Sequence, residues 1–98
     1  MLSDLTTNYS NMQNIKKLLK EYGLAEKEVS LYLASLMLGE QGMSAIAKKA
    51  GLKRSTAYLV FKSLEQKGLM GSFKMRSGLR FVATRPEIFL SKAKQNLL

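Results

Sequence analysis

The sequence predicts a mainly α-helical domain with a small β-hairpin near its C-terminal end. Three observations predict it. Apolar residues recur at helical spacing from Met12 to Leu64, the period falls to two between residues 69 and 84, and glycines punctuate the ends of the periodic segments. With 98 residues there is room for one domain, which buries about 60–65% of the surface its unfolded chain exposes. Apolar residues make up 46%, enough for a core and too many for wholesale disorder.

Met12, Ile15, Leu18, Leu19 and Tyr22 follow the helical period, and Gly23 ends that helix as a C′ residue would. Val29, Tyr32, Leu33, Leu36 and Met37 form the next stripe, with Glu26 and Glu28 in its first turn, where the macrodipole favours acids; Gly39 closes it. A short third helix turns Met43, Ile46, Ala47 and Ala50 inward and stops at Gly51, before a tight turn at Leu52-Lys53. The fourth helix runs from about Arg54 to Lys67. Ala57, Val60, Phe61 and Leu64 share one side, with Ser55, Leu59, Lys62 and Gln66 opposite, flanked by Thr56, Tyr58 and Ser63.

Beyond Gly68 the hairpin begins. Leu69, Phe73 and Met75 alternate with Ser72, Lys74 and Arg76; then Leu79, Phe81 and Ala83 alternate with Arg80, Val82 and Thr84. Its tip is Arg76-Ser77-Gly78, with glycine where φ > 0 is needed. This phase sets Lys74, Arg76 and Arg80 on one face and assigns Tyr32, Phe61, Phe73 and Phe81 to the core. Pro86 restarts a helix at its first position. The organisation expected is a flexible segment over 1–10, a domain over 11–85 and a C-terminal helix over 86–98. That helix carries Phe89, Leu90, Ala93 and Leu97 on one side. Thirteen residues are too few for an independent coiled coil, so the stripe packs either on this domain, against the Ile15, Leu19 and Tyr22 face, or on the same surface of a second copy; the second, a dimerisation element, is the one expected.

Charge is concentrated. Residues 44–85 hold ten Lys and Arg against Glu65 alone, while residues 1–43 hold four bases against five acids. One acid in such a stretch is the footprint of a polyanion partner rather than of an ordinary mixed-charge surface. No Cys and no His leave no disulfide scaffold, thiolate metal site, cysteine nucleophile or imidazole base. The serines lack a base to activate them and the carboxylates do not cluster, so neither catalysis, a metal site nor a cofactor is expected. The uncharged run from Val29 to Gly39 is far short of the ~20 residues of a membrane span, and Met1 to Ser10 has no apolar signal core. A cytoplasmic, nucleoid-associated setting is expected.

A short helix, a tight turn, a second helix and then a basic hairpin make a winged helix-turn-helix arrangement. In it the helix over 54–67 enters the major groove of double-stranded DNA. Lys53, Arg54, Ser55 and Thr56 stand at its start, Tyr58 and Lys62 reach phosphates on the rims, and Leu59 meets a thymine methyl. The wing over 69–84 lays Lys74, Arg76 and Arg80 along the backbone, with Arg76 at the minor groove. Three function classes fit: a sequence-specific regulator, favoured by the hydroxyls at the start of that helix; an architectural protein binding DNA mainly through charge; and a protein–protein module, for which only the outward Leu59 speaks.

The residues from about Leu18 to Pro86 resemble the DNA-binding domain of TrmB-type transcriptional regulators. The segments that carry the resemblance are Leu24-Ala25-Glu26-Lys27-Glu28-Val29-Ser30-Leu31-Tyr32-Leu33-Ala34, Ile46-Ala47-Lys48-Lys49-Ala50-Gly51-Leu52, Arg54-Ser55-Thr56-Ala57-Tyr58, Leu64-Glu65-Gln66-Lys67-Gly68-Leu69 and Arg80-Phe81-Val82-Ala83. The resemblance implies sequence-specific DNA binding, usually as a homodimer. It also implies a following effector domain; this sequence stops at Leu98, which fits either a fragment of a longer regulator or a stand-alone DNA binder. A second departure is that Gly42 and Ala45 occupy the places of the family's Ser/Thr cap and first-turn Glu, a capping box worth about 1 kcal/mol.

Overall fold

The computed structural model describes residues 13–88. Helix α1 covers 13–21, α2 Glu26–Leu38, α3 Met43–Ala50 and α4 Arg54–Gln66; strands β1 (Met70–Met75) and β2 (Gly78–Ala83) form an antiparallel hairpin, and 86–88 make a helical turn. The expectations for Met12, for the flexible 1–10 segment and for the stripe of Phe89, Leu90, Ala93 and Leu97 lie outside the described residues.

Helix α2 is the centre of the domain. Its long uncharged run is explained by its surroundings, since α3, α4 and β2 all pack against it. Val29, Leu31, Tyr32 and Ala34 are buried there together with Ile46, Ala47, Ala57, Phe61 and Leu64 from the neighbouring helices. Leu19 anchors α1 to this core, whereas Leu18 and Tyr22, which share its helical stripe, remain 39% and 50% exposed. The stripe of α1 thus exceeds what this chain covers over residues 13–88.

Three helices end in the same way. After α1, α3 and α4 the chain reads Gly23-Leu24, Gly51-Leu52 and Gly68-Leu69. Each leucine N–H turns back to a carbonyl of the last helical turn: Leu24 to Leu19 at 3.1 Å, Leu52 to Ala47 at 2.9 Å and Leu69 to Leu64 at 2.9 Å. This is the double-bonded glycine termination that satisfies orphan carbonyls and folds an apolar residue back onto the helix. At Gly51 it makes the turn between α3 and α4, with φ 73° that a side-chain-bearing residue adopts only at a cost.

The hairpin docks through one residue above all. Phe81 is buried, its ring edge-on to Phe61 at 4.8 Å and to Tyr58 at 5.9 Å between centroids. Its backbone pairs on the far side with Gln41, N–H to carbonyl in both directions at 2.8 and 3.2 Å. The two-stranded wing therefore has a one-residue third partner, just ahead of α3. Where β2 ends, the Tyr32 hydroxyl donates to the Thr84 carbonyl, and Thr84 donates through its N–H to Leu69 and through its hydroxyl to Gly68.

Two expectations for the hairpin are corrected. The strand begins at Met70, which is buried beside Leu69, so the apolar residues of the two strands fall out of phase. The register pairs Phe73 with Arg80 and Lys74 with Leu79. Cross-strand partners share a face, so Lys74 lies on the face of Phe81 and Arg80 on the opposite one, not together. Phe73 is 40% exposed rather than core. The physical reason is reach: towards the tip of the hairpin the apolar side chains Phe73, Met75 and Leu79 are all exposed, with no core there to enforce the alternation.

Candidate nucleic-acid interface

The outward side of α4 is formed by residues that the core leaves free. Ala57, Phe61 and Leu64 take the inward positions, which turns Ser55, Leu59 and Lys62 into one stripe at i, i+4 and i+7. All three are exposed, Leu59 at 72%. Lys53 is the N-cap residue of α4 and Arg54 its first helical residue; both are exposed, and Lys53 supplies no side-chain cap. The first turn carries no acid, so its free N–H groups and the cations beside them present only positive potential.

Tyr58 and Thr56 differ from the rest of the predicted set. Tyr58 is half-buried, its ring against Phe81 on one side and the Arg54 guanidinium 5.7 Å from its centroid on the other. It is in part a packing residue, and the cation–π contact holds Arg54 against its ring at the start of the helix. Thr56 is also half-buried.

In the wing, Lys74 and Arg76 are exposed and Arg80 is half-buried. Arg76 and Ser77 are the two residues between the paired Met75 and Gly78. Neither has positive φ; Gly78 absorbs it at 122°, which lets the arginine occupy the tip without backbone strain. The structure thus brings Lys53, Arg54, Ser55, Leu59 and Lys62 together on α4 and sets Arg76 at the end of the hairpin, while Lys74 and Arg80 part to its two faces.

Of the ten bases in the 44–85 block, Lys67 is the one that forms an ion pair among the described residues, with Glu28 at 2.7 Å. The helical period places Glu28 only in the first turn of α2 and does not pick out Gln41 at all. A single bridging residue has no period to reveal it; the spacing of Glu28 from Ala25, three residues, was the available hint, since Glu28 accepts the Ala25 N–H at 2.9 Å. No three His, Cys, Asp or Glu side chains gather as metal ligands among the described residues, and no described helix is long and apolar enough to cross a membrane.

Comparison with known proteins bears on this geometry. Solved structures share the fold at low identity. A MarR family transcriptional regulator from Silicibacter pomeroyi superposes with a TM-score of 0.63 at 18% identity, over 99% of this chain and 67% of its own. MepR, a transcription regulator of the Staphylococcus aureus multidrug efflux pump MepA, gives 0.58 at 20%, over 99% and 76%. Overoxidized AbfR bound to DNA, a protein of Staphylococcus epidermidis, gives 0.62 at 21%, over 94% and 70%. No curated protein matches the sequence. The family model described as sugar-specific transcriptional regulator TrmB matches residues 19–87, well over half of the chain. With a winged helix-turn-helix fold and that match, the chain belongs to the TrmB family of transcriptional regulators.

Proposed function

We propose that this chain binds double-stranded DNA sequence-specifically as a cytoplasmic, nucleoid-associated transcriptional regulator, with α4 in the major groove. The observation that carries this reading is the exposed Ser55, Leu59 and Lys62 stripe, flanked by Lys53 and Arg54, which the core does not use. At 13 residues α4 is about 20 Å long, a length that fits the groove. Ser55, Thr56 and Leu59 meet base edges; Lys53, Arg54 and Lys62 meet phosphates, with Tyr58 bracing Arg54. A hairpin entering a groove edge-on turns one face to each wall, so Lys74 and Arg80 serve opposite strands while Arg76 leads at the tip. A structural neighbour, AbfR, is bound to DNA, which supports the reading.

The chain acts as a homodimer through residues 86–98, two copies of α4 standing ~34 Å apart on successive major grooves. Sedimentation equilibrium tests this: a chain that stays monomeric at high micromolar concentration, and binds a half-site as well as a palindrome, excludes it.

Selection of bound sequences from a random duplex pool, followed by salt titration, tests the interface. Log K is expected to fall with log salt by about 0.9 per phosphate contacted. Lys53→Glu/Arg54→Glu is expected to cut affinity by orders of magnitude with an unchanged circular dichroism spectrum. Substitutions at Ser55 and Thr56 are expected to change the preferred sequence, whereas Arg76→Ala weakens all sequences alike and flattens the salt slope. Affinity that survives the double reversal would refute the placement of α4.

A further inference from the structure

Glu28 is a buried carboxylate, 7% exposed, at the third position of α2. Its Oε1 accepts the Ala25 N–H at 2.9 Å, and its Oε2 accepts both the Ser63 hydroxyl at 2.6 Å and the Lys67 ammonium at 2.7 Å. Burial alone pushes its carboxyl pKa up, but the Lys67, Ser63 and Ala25 donors and the Lys67 charge outweigh this and hold it below the ordinary value. The group is therefore a carboxylate with three donors, one from its own helix start and two from the C-terminal end of α4.

Those two donors sit four residues apart, stacked on one side of the last turn of α4 and its cap. The rest of the attachment of α4 is apolar: Ala57, Phe61 and Leu64 face the core. Apolar contact is non-directional and fixes the rotation of a helix in its groove less sharply than a hydrogen bond does. Charge-assisted hydrogen bonds fix it more sharply, because they weaken steeply with angle and distance. The Glu28 grip is thus the directional part of the attachment between α2 and α4. It lies at the opposite end of α4 from Ser55 and Thr56, where a small rotation about the helix axis is transmitted undiminished along a rigid rod.

We infer that Glu28 is a positioning residue for DNA discrimination: by gripping Ser63 and Lys67 it sets the rotation and axial placement of α4, and so where Ser55, Thr56 and Leu59 stand in the groove. This rests on the major-groove role of α4 proposed above. A corollary is that the Lys67 ammonium is committed to Glu28 and is not a phosphate contact.

The test measures affinity for the selected site and for random-sequence duplex across a salt series, in wild type, Glu28→Gln, Lys67→Gln and Lys67→Arg, each first shown to be folded by thermal melting. Glu28→Gln and Lys67→Gln are expected to lower the ratio of specific to non-specific affinity about tenfold, the scale of a single base-edge hydrogen bond. Lys67→Arg, which keeps the ion pair, is expected to retain the ratio, and Lys67→Gln to leave the salt slope unchanged. A folded Glu28→Gln with the wild-type ratio overturns the inference; so does a Lys67→Gln slope that falls by about one, which marks a direct phosphate contact. Should Glu28→Gln not fold, Lys67→Gln decides alone. A wild type with no preferred site defeats the functional reading and this inference with it, whereas a discriminating wild type with an unaffected Glu28→Gln defeats the inference only.

Discussion

Two hydroxyls on α2 are buried, and they are placed very differently. That of Tyr32 donates across the domain to the Thr84 carbonyl, while Ser35 Oγ, fully buried, has no hydrogen-bond partner among the described residues. Removing a donor strands the acceptor it served, so Tyr32→Phe is expected to cost about 1–2 kcal/mol. In a domain of this size that lowers the melting temperature by roughly 4–8 °C per kcal/mol. Ser35→Ala removes a polar atom that already lacks a partner, and is expected to be neutral or stabilising by up to about 1 kcal/mol. Thermal melts of the two variants beside wild type check the pair; a Ser35→Ala protein melting several degrees below wild type would show that the hydroxyl is satisfied after all. The fate of neither hydroxyl is legible in the sequence. The apolar stripe of α2 takes in Tyr32 and leaves Ser35 out, although both are buried, and what the Tyr32 oxygen meets lies 52 positions away.

At the level of elements, the existence and ends of the helices are the legible part, because an apolar stripe repeats along the chain and a glycine marks its end. The buried face of α2 is not, since Leu31, Ala34 and Ser35 are buried there while Leu33 and Leu36 are half-buried and Met37 is exposed. The residues expected to face inward in α3 and α4 do so, except that Val60 and Ala50 are only half-buried. The hairpin was legible as a hairpin but not in its phase. Towards the hairpin tip no core enforces alternation, and so Phe73 and Met75 sit exposed at spacings that read as core. Pairing with Gln41 was invisible because it spans a single residue. The outward row on α4 follows directly from its apolar face, whereas the grip of Glu28 required the tertiary structure. The glycine ends make a sharp prediction. A Cβ at Gly51 or at Gly42 would meet nothing within 4 Å, so sterics do not separate the two. Conformation does: Gly51 has φ 73° and Gly42 φ −74°. Gly51→Ala is expected to cost about 1 kcal/mol and Gly42→Ala less, a few tenths for the N-cap preference for glycine over alanine, readable as a difference in urea midpoint at constant m.

For the molecule as a whole, two groups among the described residues are expected to set the ends of the pH range of full stability. The lowered pKa of Glu28 contributes stability that is present above its ordinary value of 4.5 and is lost as pH falls through the depressed folded value. The raised pKa of Tyr32, caused first by burial and then by the charge of Glu87, contributes stability that is present below its ordinary value of 10.0 and is lost as pH rises towards the folded one. With no His or Cys side chain to titrate between them, a plateau is expected across neutral pH. Denaturation followed against pH checks this: Glu28→Gln should flatten the acid limb and Tyr32→Phe the alkaline limb. The Phe81 junction has a consequence of another kind. One side chain touches α4 through two rings while its backbone closes on Gln41, so the hairpin and α4 are joined at a common rivet. The span between helix and hairpin tip is then a built dimension, like the jaw of a gauge. Under the proposed binding, a duplex whose grooves do not match that span has to bend to it, and the energy of that bending enters the choice of site at base pairs no side chain touches.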